Sequence, residues 1–501
     1  MKTFMKALSV LLLVPFLLQA QSDEDALRYS QLSFGGTARF MGLSGAFGAL
    51  GGDFGSLSEN PAGIGLYRNS EFSLSPAVTG IHVQSNYISN VSTGDAYKFN
   101  LGSMGLVISS DLTKSDPNNK WKRLNFGFGI NRLNDYNSSA YFSGYNNSNS
   151  LVDYYAEQAN QGGGVAPSQI TSTYPFGAGL FYQAYLLNPD VSDTSFYNTA
   201  IEGGNVQQDG SISQNGSTSE FLFSIGSNYD DHLLLGMSLG MPSIHYNSTI
   251  NWRETDANNV HSDFNDFTLI NFLSTNGTGF NAKFGATYIF NDVIRVGAAL
   301  HTPTYYWMHD DYSATINSNL NSVGGISYPS PQGSYNYDLV TPWRAVGSVA
   351  AYYKKYGFIS LDYELADYSS MSYHFKRNVS IDEKAIESSL NQTINLKYKL
   401  ASNVRVGAEF AYDMFRLRGG VAYYGSPFQS GIATGDNDYS RMSFSGGVGI
   451  RGQHAFFDVA YVRTTAKEFY QPYTLVNQQP VPGVSLDKTT NNFLATVGLK
   501  F

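Results

Sequence analysis

Residues 281–301 read NAKFGATYIFNDVIRVGAALH. Ala282, Phe284, Ala286, Tyr288 and Phe290 fall on one side of an extended chain, and Asn281, Lys283, Gly285, Thr287 and Ile289 on the other. After Asn291–Asp292, Ile294, Val296, Ala298 and Leu300 alternate with Arg295, Gly297, Ala299 and His301. Period two predicts two strands, and the short polar break predicts a tight turn between them. One face is apolar; the other is polar, charged or glycine. Leu124–Asn131 and Val404–Ala411 repeat the pattern.

Composition agrees with many aromatic-studded strands. The 501 residues include 33 Phe, 36 Tyr, 4 Trp and 50 Gly, with only 14% charged residues. A disordered chain would be aromatic-poor and charge-rich. The absence of cysteine excludes disulfides, thiolate metal sites and cysteine nucleophiles. A formal net charge of −9 offers no basic face for nucleic acid.

A soluble sandwich also alternates, but connection lengths separate the cases. Short turns are predicted near Asn228–Asp231, Asn291–Asp292, Tyr353–Tyr356, Tyr412–Met414 and Arg451–His454, with a longer one at Asp111–Lys120. Long polar loops are expected at about 133–217, 251–277, 309–340, 379–392, 426–439 and 466–488. Short turns alternating with long loops are the pattern of an outer-membrane barrel. Six hairpins, a first strand near Glu71–Tyr87 and a last at Asn491–Phe501 make about 14 strands, with both ends periplasmic. The expected fold is all-β: a transmembrane antiparallel β-barrel over 71–501. Phe493, Ala495, Val497, Leu499 and Phe501 alternate to the last residue. A final strand ending in phenylalanine resembles the signal read by bacterial barrel-assembly machinery, so Phe501 is the expected contact with that partner.

Met1–Ala20 carries Lys2 and Lys6 before the apolar run Ala7–Leu18. It reads as a secretory signal peptide, because a membrane helix needs roughly 20 apolar residues. Residues 21–70 do not alternate. They include GGTARFMGLSGAFGALGGD from Gly35 to Asp53 and then Asn60-Pro61-Ala62-Gly63. Small residues permit close backbone packing, and a loose periplasmic tail would be more polar. The segment is therefore expected inside the lumen as a plug, or hatch, since a barrel of this width is not filled by its own side chains.

The Asn60-Pro61-Ala62-Gly63 run resembles the hatch motif of the FadL-like outer-membrane transporters of long-chain fatty acids and other hydrophobic compounds. Gly277–Gly285 (GTGFNAKFG), Arg295-Val296-Gly297, His301-Thr302-Pro303, Leu417–Tyr423 (LRGGVAY) and Ser426-Pro427 resemble further family segments, in the same order. The resemblance implies passive uptake of a hydrophobic small molecule across the bacterial outer membrane. Such a ligand is caught in an apolar groove of extracellular loops, held beside the hatch and released partly through a lateral gap, among the lipids of the outer membrane. Asn60, Pro61, Ala62 and Gly63 become the expected gate. Asp263–Asn276 is the candidate groove segment, because Phe264, Phe267, Ile270 and Leu273 recur at helical spacing; a helix merely packed on neighbouring loops has the same spacing. Lys283, Arg295, Arg344 and Arg418 lie on or near polar faces and are the candidates to meet a ligand carboxylate, although charges on such faces also pair with one another.

Other motifs carry no chemistry. Gly236-Met237-Ser238-Leu239-Gly240 matches a nucleophile elbow, but it sits in an alternating run where a strand–turn–helix is required. The glycine-rich run at 42–52 lacks the Lys-Ser/Thr ending of a phosphate loop. The eight histidines are scattered, so no metal site and no cofactor are expected. Leu151–Gln161 and Ile381–Leu390 read as structural helices in loops. No catalytic residues and no enzymatic activity are expected. The alternative function is a barrel that holds partner or cargo proteins of a type IX-like secretion system, whose members resemble the same family and share its hatch pattern.

Overall fold

The computed structural model describes residues 21–33, 35–291, 293–375, 381–432, 438–476 and 479–501. The predicted signal peptide and Asp292 of the predicted turn lie outside them.

Fourteen antiparallel strands close into a barrel. In chain order they are β1 (Glu71–Tyr87), β2 (Asn90–Asp111), β3 (Trp121–Asp135, continued by Ser138–Asn146), β4 (Val206–Tyr229), β5 (Leu233–Thr255) and β6 (Phe264–Ile289). Next come β7 (Ile294–His301, continued by Tyr305–Leu320), β8 (Gly333–Val340, then Arg344–Tyr353), β9 (Gly357–Asp367) and β10 (Leu400–Tyr412). β11 (Phe415–Tyr424), β12 (Arg441–Arg451), β13 (Ala455–Tyr470) and β14 (Val484–Lys500) complete the wall. Each strand pairs with its sequence neighbours, and β14 pairs with β1 from Glu71↔Lys500 to Asn86↔Ser485, which removes the free edge.

The alternation sorts side chains between bilayer and lumen. Phe72, Leu74 and Val78 of β1, Phe457, Val459 and Tyr461 of β13, and Phe493, Val497 and Leu499 of β14 all point outward and are exposed. Between them stand buried inward residues such as Ser73, Ser75, Asp458 and Thr496. A wall that is greasy outside and polar inside, with every strand paired, suits a membrane with no water to satisfy the backbone.

Two expectations about loops are corrected. Residues 251–277 are mostly strand: β5 runs 23 residues to Thr255 and β6 runs 26 from Phe264. Residues 309–340 are also strand, as β7, a short strand Gly324–Pro329 and the first part of β8. These strands continue past the apolar band as a tall sheet. Its polar outer residues mimic loop composition, whereas its inner residues are buried under a cap. The cap follows β3 and contains helix α2 (Leu151–Asn160) and the hairpin Leu187–Pro189 with Tyr197–Thr199. Its core joins Val152, Tyr155, Leu180 and Phe181 to Phe142, Trp252 and Phe267 of the wall. A helix also spans Ile381–Lys397, longer than the expected Ile381–Leu390.

The described residues of 21–70 lie inside the barrel. A helix, α1 (Asp23–Ser30), precedes α2 in the chain and starts from a capping box between Ser22 and Asp25. Thr37, Asp53 and Asn60 cap three further short helical segments through side-chain oxygens. Phe40, Leu43, Phe47 and Leu50 pack on Ala77, Ala350, Ala460 and Leu494 of the wall, and Leu57 and Ile64 on Val107 and Leu222.

Candidate functional site

The hatch is seated where the wall has no side chains. Gly226, Gly236 and Gly285 lie in one row across β4, β5 and β6. A Cβ at Gly236 would stand 2.2 Å from the Pro61 carbonyl oxygen, and one at Gly285 would stand 2.0 Å from Asn60 Oδ1. Gly297 of β7 meets the backbone of Gly48, and Gly407 and Gly420 of β10 and β11 meet that of Leu43. The inward glycines of the alternating strands therefore give room for hatch backbone.

Asn60 ties the hatch together at this seat. Its Nδ2 donates to the Gly48 carbonyl at 2.5 Å and to Thr287 Oγ1 at 3.3 Å, and its Oδ1 accepts from Ala62 N–H at 3.0 Å. Pro61 sits at the first position of the short helix Pro61–Leu66, where a missing N–H costs nothing. Gly63 lies against Gly51, where a Cβ on either would meet the other's backbone below 3 Å. Charged contacts add to this. Glu59 pairs with Arg405, Arg39 Nε reaches Glu409 at 3.3 Å, and Asp362 accepts from Gly48 N–H at 2.9 Å.

The four candidate lumen cations stand away from the large cavities. Lys283 Nζ lies 2.5 Å from Glu220, Arg344 pairs with Glu364 at 2.8 Å, and Arg418 reaches Glu409 and Asp458, each at 2.6 Å. Arg295 stacks over the Tyr352 ring at 4.2 Å. The first three are buried in ion pairs that join different strands, so their charge is already matched. Ser238 of the elbow-like motif is a buried wall residue whose hydroxyl bonds Ser224 Oγ at 2.6 Å and the Leu57 carbonyl at 3.2 Å.

The candidate groove helix is corrected to a strand. Phe264, Phe267, Ile270 and Leu273 all belong to β6. Phe264 and Phe267 are buried under the cap, Leu273 reaches a cavity, and Ile270 has the opposite parity and faces outward. A bulge at Asn265, between the pairs Leu320↔Phe264 and Asn319↔Asp266, puts Phe264 and Phe267 on one face three residues apart. That spacing imitates a helix.

Two cavities lie above the hatch. The outer one, about 710 Å³, is lined by aromatic groups that include Tyr154, Tyr155, Phe176, Tyr246, Tyr312 and Phe428, together with charged ones such as Glu24, Asp25, Lys467 and Glu468. The inner one, about 260 Å³, is bounded by Met41 and Gly36 of the hatch and by Ala77, Leu133, Val462 and Leu494 of the wall. Arg28, Gln31, Gln214, Arg441, Ala466 and Glu468 line both, so the two meet. Arg28 is paired with Asp25 and lies over the Tyr246 ring at 4.7 Å. Arg441 is different. Its guanidinium donates to the Leu32 carbonyl at 3.1 Å and Ser33 Oγ at 3.3 Å and lies over the Tyr424 ring at 4.6 Å, all neutral partners. Sequence reasoning missed it, because it sits at the first position of β12, directly after a loop. Its inward parity with Ser443 and Ser445 was the available signal.

The inner cavity ends at an interruption of the wall. β2 and β3 pair only from Asp111↔Arg123 to Ser103↔Asn131. Immediately above, both strands bulge: Gly102 has no partner between Ser75↔Ser103 and Pro76↔Leu101, and Leu133 has none between Arg132↔Ser219 and Asn134↔Thr218. Past this level, among the described residues, β3 keeps its pairing with β4 but forms no ladder with β2. Asn100 and Gly102 on one side and Arg132–Tyr136 on the other line the inner cavity. The hatch takes up the hydrogen bonding that β2 leaves: Ser33 N–H donates to the Leu133 carbonyl at 3.0 Å, and Asn134 Nδ2 donates to the Gln31 carbonyl at 3.0 Å.

No protein-family model matches the chain, and no curated protein matches it. Solved structures do. The Pseudomonas putida toluene transporter TodX is similar at 12% identity over 93% of this chain and 99% of that one, with a TM-score of 0.52. A Pseudomonas aeruginosa FadL homologue is similar at 13% identity over 94% and 99%, with a TM-score of 0.55. The Ralstonia pickettii toluene transporter TbuX is similar at 14% identity over 93% and 99%, with a TM-score of 0.50. At these identities the likeness speaks for architecture, and it covers nearly the whole chain: this protein has the fold of the FadL-type transporters.

Proposed function

We propose that this protein is an outer-membrane channel for passive uptake of hydrophobic small molecules, with long-chain fatty acids as the first class to test. The observation that carries the reading is the continuous path from the 710 Å³ aromatic vestibule, through the 260 Å³ inner cavity, to the gap between β2 and β3. A hydrophobic ligand crosses a water-filled pore poorly, because each buried methylene returned to water costs about 0.8 kcal/mol. An aromatic-studded vestibule followed by a sideways opening at bilayer level lessens that exposure. Arg441, at the junction of the two cavities, is the group suited to a carboxylate, since its present partners carry no charge. The hatch, held at Asn60, Pro61, Ala62 and Gly63, blocks the straight axial route.

The chain has no cysteine, so a single introduced thiol reports cleanly. Full-length protein with Asn100→Cys, reconstituted in liposomes, is expected to take up a fluorescent fatty acid at the wild-type rate until a bulky maleimide is attached at the gap, after which uptake falls to the protein-free rate. Unchanged uptake after complete labelling would refute the lateral route. Failure of the unlabelled protein to speed uptake at all, with a stoichiometric protein partner recovered on purification, would favour the secretion role instead.

A further inference from the structure

The outward rows of the wall change from apolar to polar at one level, and a notch opens there. Along β1 the outward residues are Phe72, Leu74, Pro76, Val78, Gly80, His82, Gln84 and Asn86. Gly80 is the only one in this row without a side chain. On β14 the switch runs from Phe493 to Asn491, and on β13 from Tyr461 to Arg463; Gly80, Asn491 and Arg463 are register partners in a single row. The space left by Gly80 is a cavity of about 230 Å³ on the outer face of the barrel. Val78, Phe493, Tyr461 and Tyr97 wall it, with the Tyr97 ring folded over Gly80. At its upper rim His82 Nδ1 and Asp95 lie 2.9 Å apart, and the Tyr461 hydroxyl donates to Asn491 Oδ1 at 2.7 Å.

We infer that this notch is a site for one anionic membrane lipid, with an acyl chain in the Gly80 gap and the phosphate at the row of Asn491 and Arg463. The position identifies the occupant. The apolar walls of the notch belong to the bilayer-facing band, which excludes ligands arriving from water. The polar rim lies where a lipid headgroup lies, because a band about 25 Å tall ends near this level. Aromatic side chains with a polar tip, here Tyr97 and Tyr461, favour that interface. Arg463 adds a fixed positive charge on the same row, which a phosphate can meet. The site lies on the outside of the wall and does not depend on what the lumen carries. It also touches the gap, since Tyr97 belongs to the stretch of β2 that lacks a β3 partner.

Native mass spectrometry of the full chain in detergent, with added phosphatidylglycerol or phosphatidylcholine, tests this. Wild type is expected to retain one phosphatidylglycerol in preference to phosphatidylcholine. Gly80→Leu fills the gap, with the edge of the exposed Tyr97 ring the side-chain neighbour that must give way. Its occupancy is expected to fall about tenfold, the ratio that corresponds to losing burial of about two methylenes. Arg463→Gln is expected to keep lipid but lose the preference for the anionic head. Val349→Leu, another outward apolar residue elsewhere on the wall, serves as the unchanged control, and heat-modifiable migration shows that each variant is a folded barrel. Equal retention by Gly80→Leu and wild type would overturn the site; equal retention of the two lipids by wild type would overturn its anionic character.

Discussion

Gly236→Val isolates the contact between hatch and wall. The Cβ alone would stand 2.2 Å from the Pro61 oxygen and 2.4 Å from its carbonyl carbon, both backbone atoms that no rotamer change can move aside. β5 is held by ladders on both sides, so the hatch must retreat, by about 1 Å to reach ordinary contact. That retreat loosens the Asn60 bond to Thr287 Oγ1 at 3.3 Å and the Ser238 bond to the Leu57 carbonyl at 3.2 Å. Two such bonds are worth about 1 kcal/mol each, and overpacking adds about 1–3 kcal/mol. The hatch is then less firmly docked by roughly 3–5 kcal/mol, which raises its undocked population at least a hundredfold. Hydrogen exchange over residues 48–66 is expected to quicken by that factor, and conductance in planar bilayers to rise, while heat-modifiable migration stays that of a folded barrel. Gly347→Ala is the control, because nothing lies within 4 Å of its Cβ position. Protection of 48–66 equal to wild type in Gly236→Val would show that the glycine row does not seat the hatch.

Other substitutions test the remaining contacts. Lys283→Met strands the Glu220 carboxylate in the wall and is expected to destabilise the barrel by about 3–5 kcal/mol in denaturant titrations, whereas the double variant with Glu220→Gln recovers most of the loss. Arg441→Gln is expected to weaken binding of a long-chain carboxylate roughly tenfold or more, as for a lost charge-assisted bond, and to leave a neutral hydrocarbon of the same length unaffected; equal weakening of both by calorimetry would remove Arg441 from carboxylate recognition. Phe501→Ser is expected to lower the amount of folded barrel delivered to the membrane without changing the stability of what is delivered, measured by heat-modifiable migration of membrane fractions.

The wall was legible because its signal is local. Period two and the short turns at 228–231, 353–356, 412–414 and 451–454 need only neighbouring residues, and the strand count follows from them. The tall sheet was not legible, because above the bilayer the outer face of β5 to β8 turns polar and its residues read as loop. Phe264 and Phe267 imitated a helix because one bulged residue turns a spacing of two into three. The cations illustrate a different limit. Lys283, Arg344 and Arg418 are inward and charged, as the alternation says, but their partners Glu220, Glu364 and Asp458 come from other strands, and no single segment reveals which charges cancel. The cavities share that limit, since their linings draw on the hatch, the cap and most of the wall.

The interruption between β2 and β3 and the presence of the hatch are two sides of one structural problem. Unpaired strand backbone is tolerated at membrane depth only where protein or a cavity satisfies it. The bulges at Gly102 and Leu133 break the ladder at the level where the inner cavity reaches the wall, and the Leu133 carbonyl freed there is taken by Ser33 of the hatch. Gly35 approaches the neighbouring Arg132 carbonyl so closely that a Cβ would stand 1.8 Å from it, so a residue with a side chain could not lie there. Gln31 and Ser33 therefore bond the part of β3 that β2 leaves, and Gly36 borders the inner cavity. Any displacement of these residues changes the cavity and uncovers the β3 edge together. On the proposed function, gating of the ligand space and opening of the wall are one motion of these few residues, with the seat at Gly226, Gly236 and Gly285 left in place.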